Sequence, residues 1–184
     1  TWAMGKTTTG PVSVEPVTIE HPVPFRNGRP TVDDRYNTAT KFLFNVLYRD
    51  GTVMTIRHDG RNGILFEGSK GRIFVNRGKL EGKPVSDLTD ADNAELDEAI
   101  LKLCKGNQPG DHMRNFFECI EDRSKPISDV WSHHRTMTSC HLCNIALRLG
   151  RKLQWYPDAE EFDGDAEANA MHAREQRDGY QIEA

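Results

Sequence analysis

Lys41-Phe42-Leu43-Phe44-Asn45-Val46-Leu47-Tyr48-Arg49-Asp50-Gly51-Thr52-Val53-Met54-Thr55-Ile56-Arg57-His58 decides the fold. Phe42, Phe44, Val46 and Tyr48 alternate with Leu43, Asn45 and Leu47, the two-residue period of a β-strand. Asp50-Gly51 readily takes the positive φ angles of a tight turn. Val53 to His58 then returns as the partner strand. Working outward, Gly63 to Glu67 and Arg72 to Val75 form a second pair, joined through Gly68-Ser69-Lys70-Gly71. Residues 36–76 therefore read as one antiparallel meander. Upstream, Val12, Val14 and Val17 to Ile19 suggest a first strand interrupted by Pro16. His21 to Pro30 carries three prolines and reads as a long excursion.

Downstream the pattern turns helical. Thr89 and Asp92 make a capping box, followed at helical spacing by Leu96, Ala99, Ile100 and Leu103, with Gly106 as the stop. Asp111 caps a short helix that carries Met113, Phe116, Phe117 and Ile120. Ser128 or Asp129 caps a longer helix ending at Gly150. Leu153 to Tyr156 reads as one last strand, and Asp165 as the cap of a helix through Gln176. Strands first and helices second predict an α+β fold: an open, predominantly antiparallel sheet with helices packed on one face. The chain, 1–184, is expected to be a single domain, with 157–184 as a C-terminal extension holding a short helix.

Composition narrows the function. Hydrophobic residues make up 36% of the 184-residue chain and charged residues 28%, so the core is expected to be modest. A net charge of −4 gives no basic surface for nucleic acid or anionic lipid. No apolar run approaches the ~20 residues of a membrane-spanning helix. No G-x-G-x-x-G follows a strand, so neither a Rossmann domain nor a cofactor-binding residue is expected in this chain. P-loop, G-x-S-x-G and H-E-x-x-H motifs are missing too, and no catalytic residue is assigned.

Three clusters carry candidate chemistry. Cys140-His141-Leu142-Cys143 has CxxC spacing, but structural zinc needs four ligands, and a redox CxxC belongs at a helix N-terminus. This one is expected mid-helix. With Cys104 and Cys119 on separate helices, the thiols read as reduced packing residues and no metal is expected. On the long helix, Trp131, His134, Thr138, His141, Leu142, Ile145 and Leu149 share one face. His134 and His141 therefore read as hydrogen-bonded core residues, with a substrate contact as the alternative. Asp33-Asp34-Arg35-Tyr36 enters the main strand from a loop and reads as a solvated turn. If this chain touches a substrate, the candidates are Arg35, Tyr36 and Asn37, or His133, His134 and Arg135. Both groups combine charge with hydrogen-bonding capacity at the start of an element.

The order of pieces resembles the C-terminal domain of the Gfo/Idh/MocA oxidoreductases, in the subgroup with an extended tail. Thr1-Trp2-Ala3-Met4-Gly5 resembles the QWALG that ends the family's helix at the domain junction. Thr9-Gly10-Pro11-Val12 resembles the TGPV that follows it. His141-Leu142-Cys143-Asn144-Ile145-Ala146 with Arg148-Leu149-Gly150-Arg151-Lys152-Leu153 is similar to HLxNIAxRLGRKL, the most specific of these strings. The resemblance implies a parent enzyme whose N-terminal Rossmann domain binds NAD or NADP, and a second domain that shapes a sugar site and builds a homo-oligomer through its sheet face. The family's E-K-P lysine belongs to the Rossmann domain. Glu81-Gly82-Lys83-Pro84 and Arg123-Ser124-Lys125-Pro126 do not match that motif, so its role passes to neither.

The chain thus reads as the substrate-side and oligomerisation domain of an NAD(P)-dependent sugar or polyol oxidoreductase, catalytically incomplete by itself. A non-catalytic binding or scaffold module of the same fold, and a domain of an NAD-dependent glycoside-cleaving enzyme, stay open as alternatives. Expected partners are a second copy and an N-terminal Rossmann domain, with neither nucleic acid nor membrane. A cytoplasmic location is the expectation, any export signal lying outside the chain.

Overall fold

The computed structural model describes residues 1–103 and 111–182. In chain order the elements are β1 (Ser13–Glu20), β2 (Phe25–Arg26), β3 (Arg29–Pro30), β4 (Lys41–Leu47), β5 (Val53–Arg57), β6 (Ile64–Gly68), β7 (Gly71–Asn76) and β8 (Lys79–Glu81). Then come α1 (Lys83–Ser86), α2 (Asp90–Leu103), α3 (His112–Asp122), α4 (Val130–Leu149), β9 (Leu153–Tyr156), β10 (Glu161–Phe162) and α5 (Ala166–Asn169). All strand pairings among the described residues are antiparallel, and the fold is the α+β class expected from the pattern. Two compact units form, Thr1–Asp59 with Val130–Ala184, and Gly60–Asp129.

The first unit is a five-stranded sheet in the order β10-β9-β1-β4-β5, with α4 packed on β1 and β4. Phe44, Val46 and Tyr48 alternate into its core, where they meet Val14, Leu142, Ala146, Leu153, Trp155 and Phe162. Phe44 lies opposite Ile56, and Val46 opposite both Val14 and Met54, so three strands present one apolar face to α4. β1 is continuous where Pro16 was expected to interrupt it. Its register with β4 shifts between Pro16 and Thr18, beyond the Ser13–Val14 stretch that pairs with β9. A missing ladder hydrogen bond is tolerated at such a bulge. The proline-rich excursion contains a small hairpin of β2 and β3, turned by Asn27 (φ 51°) and Gly28 (φ 69°). Asn-Gly is the residue pair such a turn selects.

The buried stripe of α4 differs from the expected one. It runs through Ser139, Leu142, Cys143, Ile145 and Ala146, while Trp131 is 68% exposed and His134 and His141 face outward. Ser139, Cys143 and Ala146, with Leu142 and Ile145, pack on the large side chains of the sheet, and Trp131 turns away. Hydrophobicity alone does not register that preference. The helix expected from Asp165 through Gln176 is also shorter, ending at Asn169. The Asn169 side chain turns back there, accepting from Phe162 N (2.8 Å) and donating to Phe162 O (3.0 Å).

The second unit holds the three-stranded sheet β6-β7-β8 with α1 packed on β7 and β8. The meander expected over 36–76 is therefore split between two sheets. Strand alternation does not reveal pairing across a polar connection, and here Arg57 folds onto Asp59 in a two-point ion pair (2.7 and 2.9 Å) just after β5. The capping box forms as read: Thr89 N donates to Asp92, and Asp92 N to Thr89 Oγ1. Asp111 caps α3 by accepting from Arg114 N (3.0 Å). Gly106, the expected stop of α2, and Cys104 lie outside the described residues. No helix of the described residues is long and apolar enough to cross a membrane.

Candidate functional site

A cleft of about 560 Å³ opens in the first unit beside α4. Its floor is the helix-facing side of the sheet: Phe42, Phe44 and Ile56. One wall is α4, through Cys140, Asn144, Leu147 and Arg148. The other is the segment between β1 and β4, through His21, Phe25, Asn37 and Thr38, and Arg174 closes it from the C-terminal segment. The floor is apolar while the walls carry amide, hydroxyl, imidazole and guanidinium groups. Such a lining buries a small molecule's body and orients its polar atoms.

Each wall group is held by local structure. The His21 ring stacks on Phe25 at 4.0 Å, and its Nε2 lies 3.3 Å from Leu147 O. That carbonyl can only accept, so Nε2 is the donor, and in the neutral ring Nδ1 is then an acceptor. Nδ1 is buried without a hydrogen-bond partner among the described residues. Arg148 Nε donates to Gly28 O at 2.7 Å, so the Asn27-Gly28 turn aims its guanidinium. Burial, together with the positive charges of Arg174 and Arg29, pushes the Arg148 pKa down.

Cys143 is buried, and that burial pushes its thiol up to about 12. A thiol protonated at neutral pH is neither a nucleophile nor a metal ligand, so Cys143 acts by packing. The face expected for α4 did not include it, although packing was the role expected of the thiols. Cys140 is exposed on the cleft wall.

The structure separates the two groups of candidate residues. Asn37 lines the cleft. Arg35 pairs with Asp34 (2.8 and 2.9 Å), and Tyr36 is 73% exposed. His134 Nε2 lies 2.7 Å from Glu160 Oε1, and Arg135 donates to the same oxygen (3.0 Å) and to Pro157 O (2.9 Å). These two hold the turn between β9 and β10, while His133 is exposed. Lys83 pairs with Asp87, and Lys125 with Asp129. His21, Asn144, Arg148 and Arg174 were not singled out from the sequence. Asn27-Gly28 was a readable signal for the turn that positions Arg148, whereas nothing local marks Arg174.

A dinucleotide finds no Rossmann-type turn among the described residues. Its pyrophosphate needs a glycine-rich turn between a parallel strand and a helix. Among the described residues no parallel pairing exists, and α1 and α5, the helices that follow strands most closely, have four residues each. No cluster of three or more metal-ligating side chains occurs among the described residues.

The family model described as oxidoreductase family, C-terminal alpha/beta domain, of Gfo/Idh/MocA type, matches residues 3–182. The chain belongs to this family. The match runs from Ala3, within the first turn, into the C-terminal segment, so the Gfo/Idh/MocA assignment covers both cleft walls and Arg174. No curated protein and no solved structure matches the chain. The Gfo/Idh/MocA C-terminal domain is thus an α+β oxidoreductase domain, carrying here a cleft beside its longest helix.

Proposed function

We propose that this domain forms the substrate side of an NAD(P)-dependent oxidoreductase acting on a sugar or polyol. The cofactor is held by an N-terminal Rossmann domain of the same polypeptide. The cleft carries the reading. A volume near 560 Å³ suits a monosaccharide-sized molecule, and an aromatic floor with amide-bearing walls matches the two faces of a sugar ring. The domain's part in hydride transfer is positional: it holds the polyol while the Rossmann domain presents the nicotinamide. Asn37 and Asn144, on opposite walls, are the proposed hydroxyl-binding groups, with Arg35 and Tyr36 in the segment beside Asn37. In the full-length enzyme, Asn37→Ala and Asn144→Ala should each raise the sugar KM roughly three- to tenfold, as expected for one lost hydrogen bond. The cofactor KM should not move. Unchanged sugar KM in both variants would remove the cleft from the substrate path.

The same reading includes self-association through the sheet face opposite α4. Leu47 and Val53 lie directly across from each other on β4 and β5, and are 36% and 53% exposed. The next row, Glu15–Asn45–Thr55, is polar, with Thr55 donating to Asn45 Oδ1. This is an apolar strip bordered by hydrogen-bonding groups, and a twofold partner covers such a strip with its own copy. Light scattering at tens of micromolar should give an oligomer, and a Leu47→Glu/Val53→Glu double variant should give the monomer mass with unchanged circular dichroism. A monomeric parent protein would end this part of the proposal.

A further inference from the structure

We propose that the Arg148–Arg174 end of the cleft is an anion subsite, so that the sugar or polyol bound there carries a carboxylate or a phosphate. This rests on the cleft being the sugar site. Arg148 and Arg174 both line the cleft, the positive charges of Arg174 and Arg29 act on Arg148, and neither lining arginine is within ion-pair distance of a carboxylate among the described residues. Arg57, Arg135 and Arg151, by contrast, each face an acidic side chain. A half-buried guanidinium opposed by two others is costly unless an anion joins them, and guanidinium groups meet carboxylates and phosphates with paired hydrogen bonds. Arg148 is also already oriented, because Gly28 O holds its Nε and leaves the terminal nitrogens for a ligand.

A second, independent feature points to a polyhydroxy body attached to that anion. His21 lines the same cleft with a buried, unpartnered acceptor at Nδ1. A ligand hydroxyl donating to Nδ1 of the neutral ring would give it a partner. The cleft therefore combines hydroxyl-binding groups with two unneutralised cations, a set that a neutral sugar leaves incomplete.

Calorimetry on the full-length protein tests this with matched probes: glucose, glucuronate and glucose 6-phosphate, and the corresponding galactose set. At least one charged member should bind roughly ten- to a hundredfold more tightly than its neutral parent, the range of a charge-assisted hydrogen-bonded pair. The carboxylate and phosphate arms identify which anion is meant. Arg174→Gln and Arg148→Lys should each reduce that preference, the ratio of charged to neutral affinity, severalfold. Equal affinity for charged and neutral members, or a preference untouched by both variants, overturns the anion subsite and spares the sugar site. Absence of binding by all six probes overturns both.

Discussion

Phe162→Ala is expected to destabilise the first unit by roughly 3–5 kcal/mol, the range for a fully buried phenylalanine replaced by alanine. Phe162 is 1% exposed, and its ring meets Trp155 edge-on at 4.9 Å. His172 packs on both rings, at 5.2 Å from Phe162 and 5.5 Å from Trp155. The Asn169 side chain brackets the Phe162 backbone, and Arg151 pairs with Asp165 and Glu167 on either side of the start of α5. Phe162 is therefore the anchor through which the C-terminal segment is tied to the sheet, and that segment brings Arg174 to the cleft. Guanidinium titration followed by Trp155 fluorescence should show the lowered midpoint. Under the anion-subsite proposal, charged-sugar affinity should fall with it. A loss under ~1 kcal/mol would show that Phe162 is not the anchor of the segment, since the exposed ion pairs of Arg151 contribute little by themselves.

Gly82→Ala is expected to disrupt the second unit and spare the first. Gly82 has φ 138°, and a Cβ there would lie 2.1 Å from Arg72 O, a backbone atom of the adjacent β7. The backbone conformation alone costs an alanine on the order of 1–3 kcal/mol, and the overlap with a fixed carbonyl adds to that. The three tryptophans, Trp2, Trp131 and Trp155, all lie outside residues 60–129. Amide-exchange protection over β6, β7 and β8 should therefore collapse while the tryptophan unfolding transition stays in place. A tryptophan midpoint that falls in step would show that the two units share one cooperative transition.

Much of this architecture was legible in local chemistry. Alternation over Phe42–Tyr48, the Asp50-Gly51 turn and the caps at Thr89 and Asp111 each depend on a few adjacent residues, so the sequence states them directly. The 141–153 string pointed to the family for the same reason: it is contiguous. The stripe of α4 and the end of α5 were not legible, because packing partners far away in the chain decide them.

The candidate site divides along the same line. The sequence by itself determined an α+β domain of the Gfo/Idh/MocA oxidoreductase family, with no dinucleotide motif and with Asn37 among the polar groups worth testing. Only the tertiary structure decided that His134 and Arg135 are spent on Glu160 and that Cys143 is buried. It alone brings His21, Asn144, Arg148 and Arg174 around one cleft. These four lie more than 150 positions apart at the extremes. Their convergence depends on the packing of α4 against the sheet, and on Phe162 holding the tail. Period and composition describe what each segment can do alone, whereas a site made of distant side chains exists only after those surfaces have chosen one another.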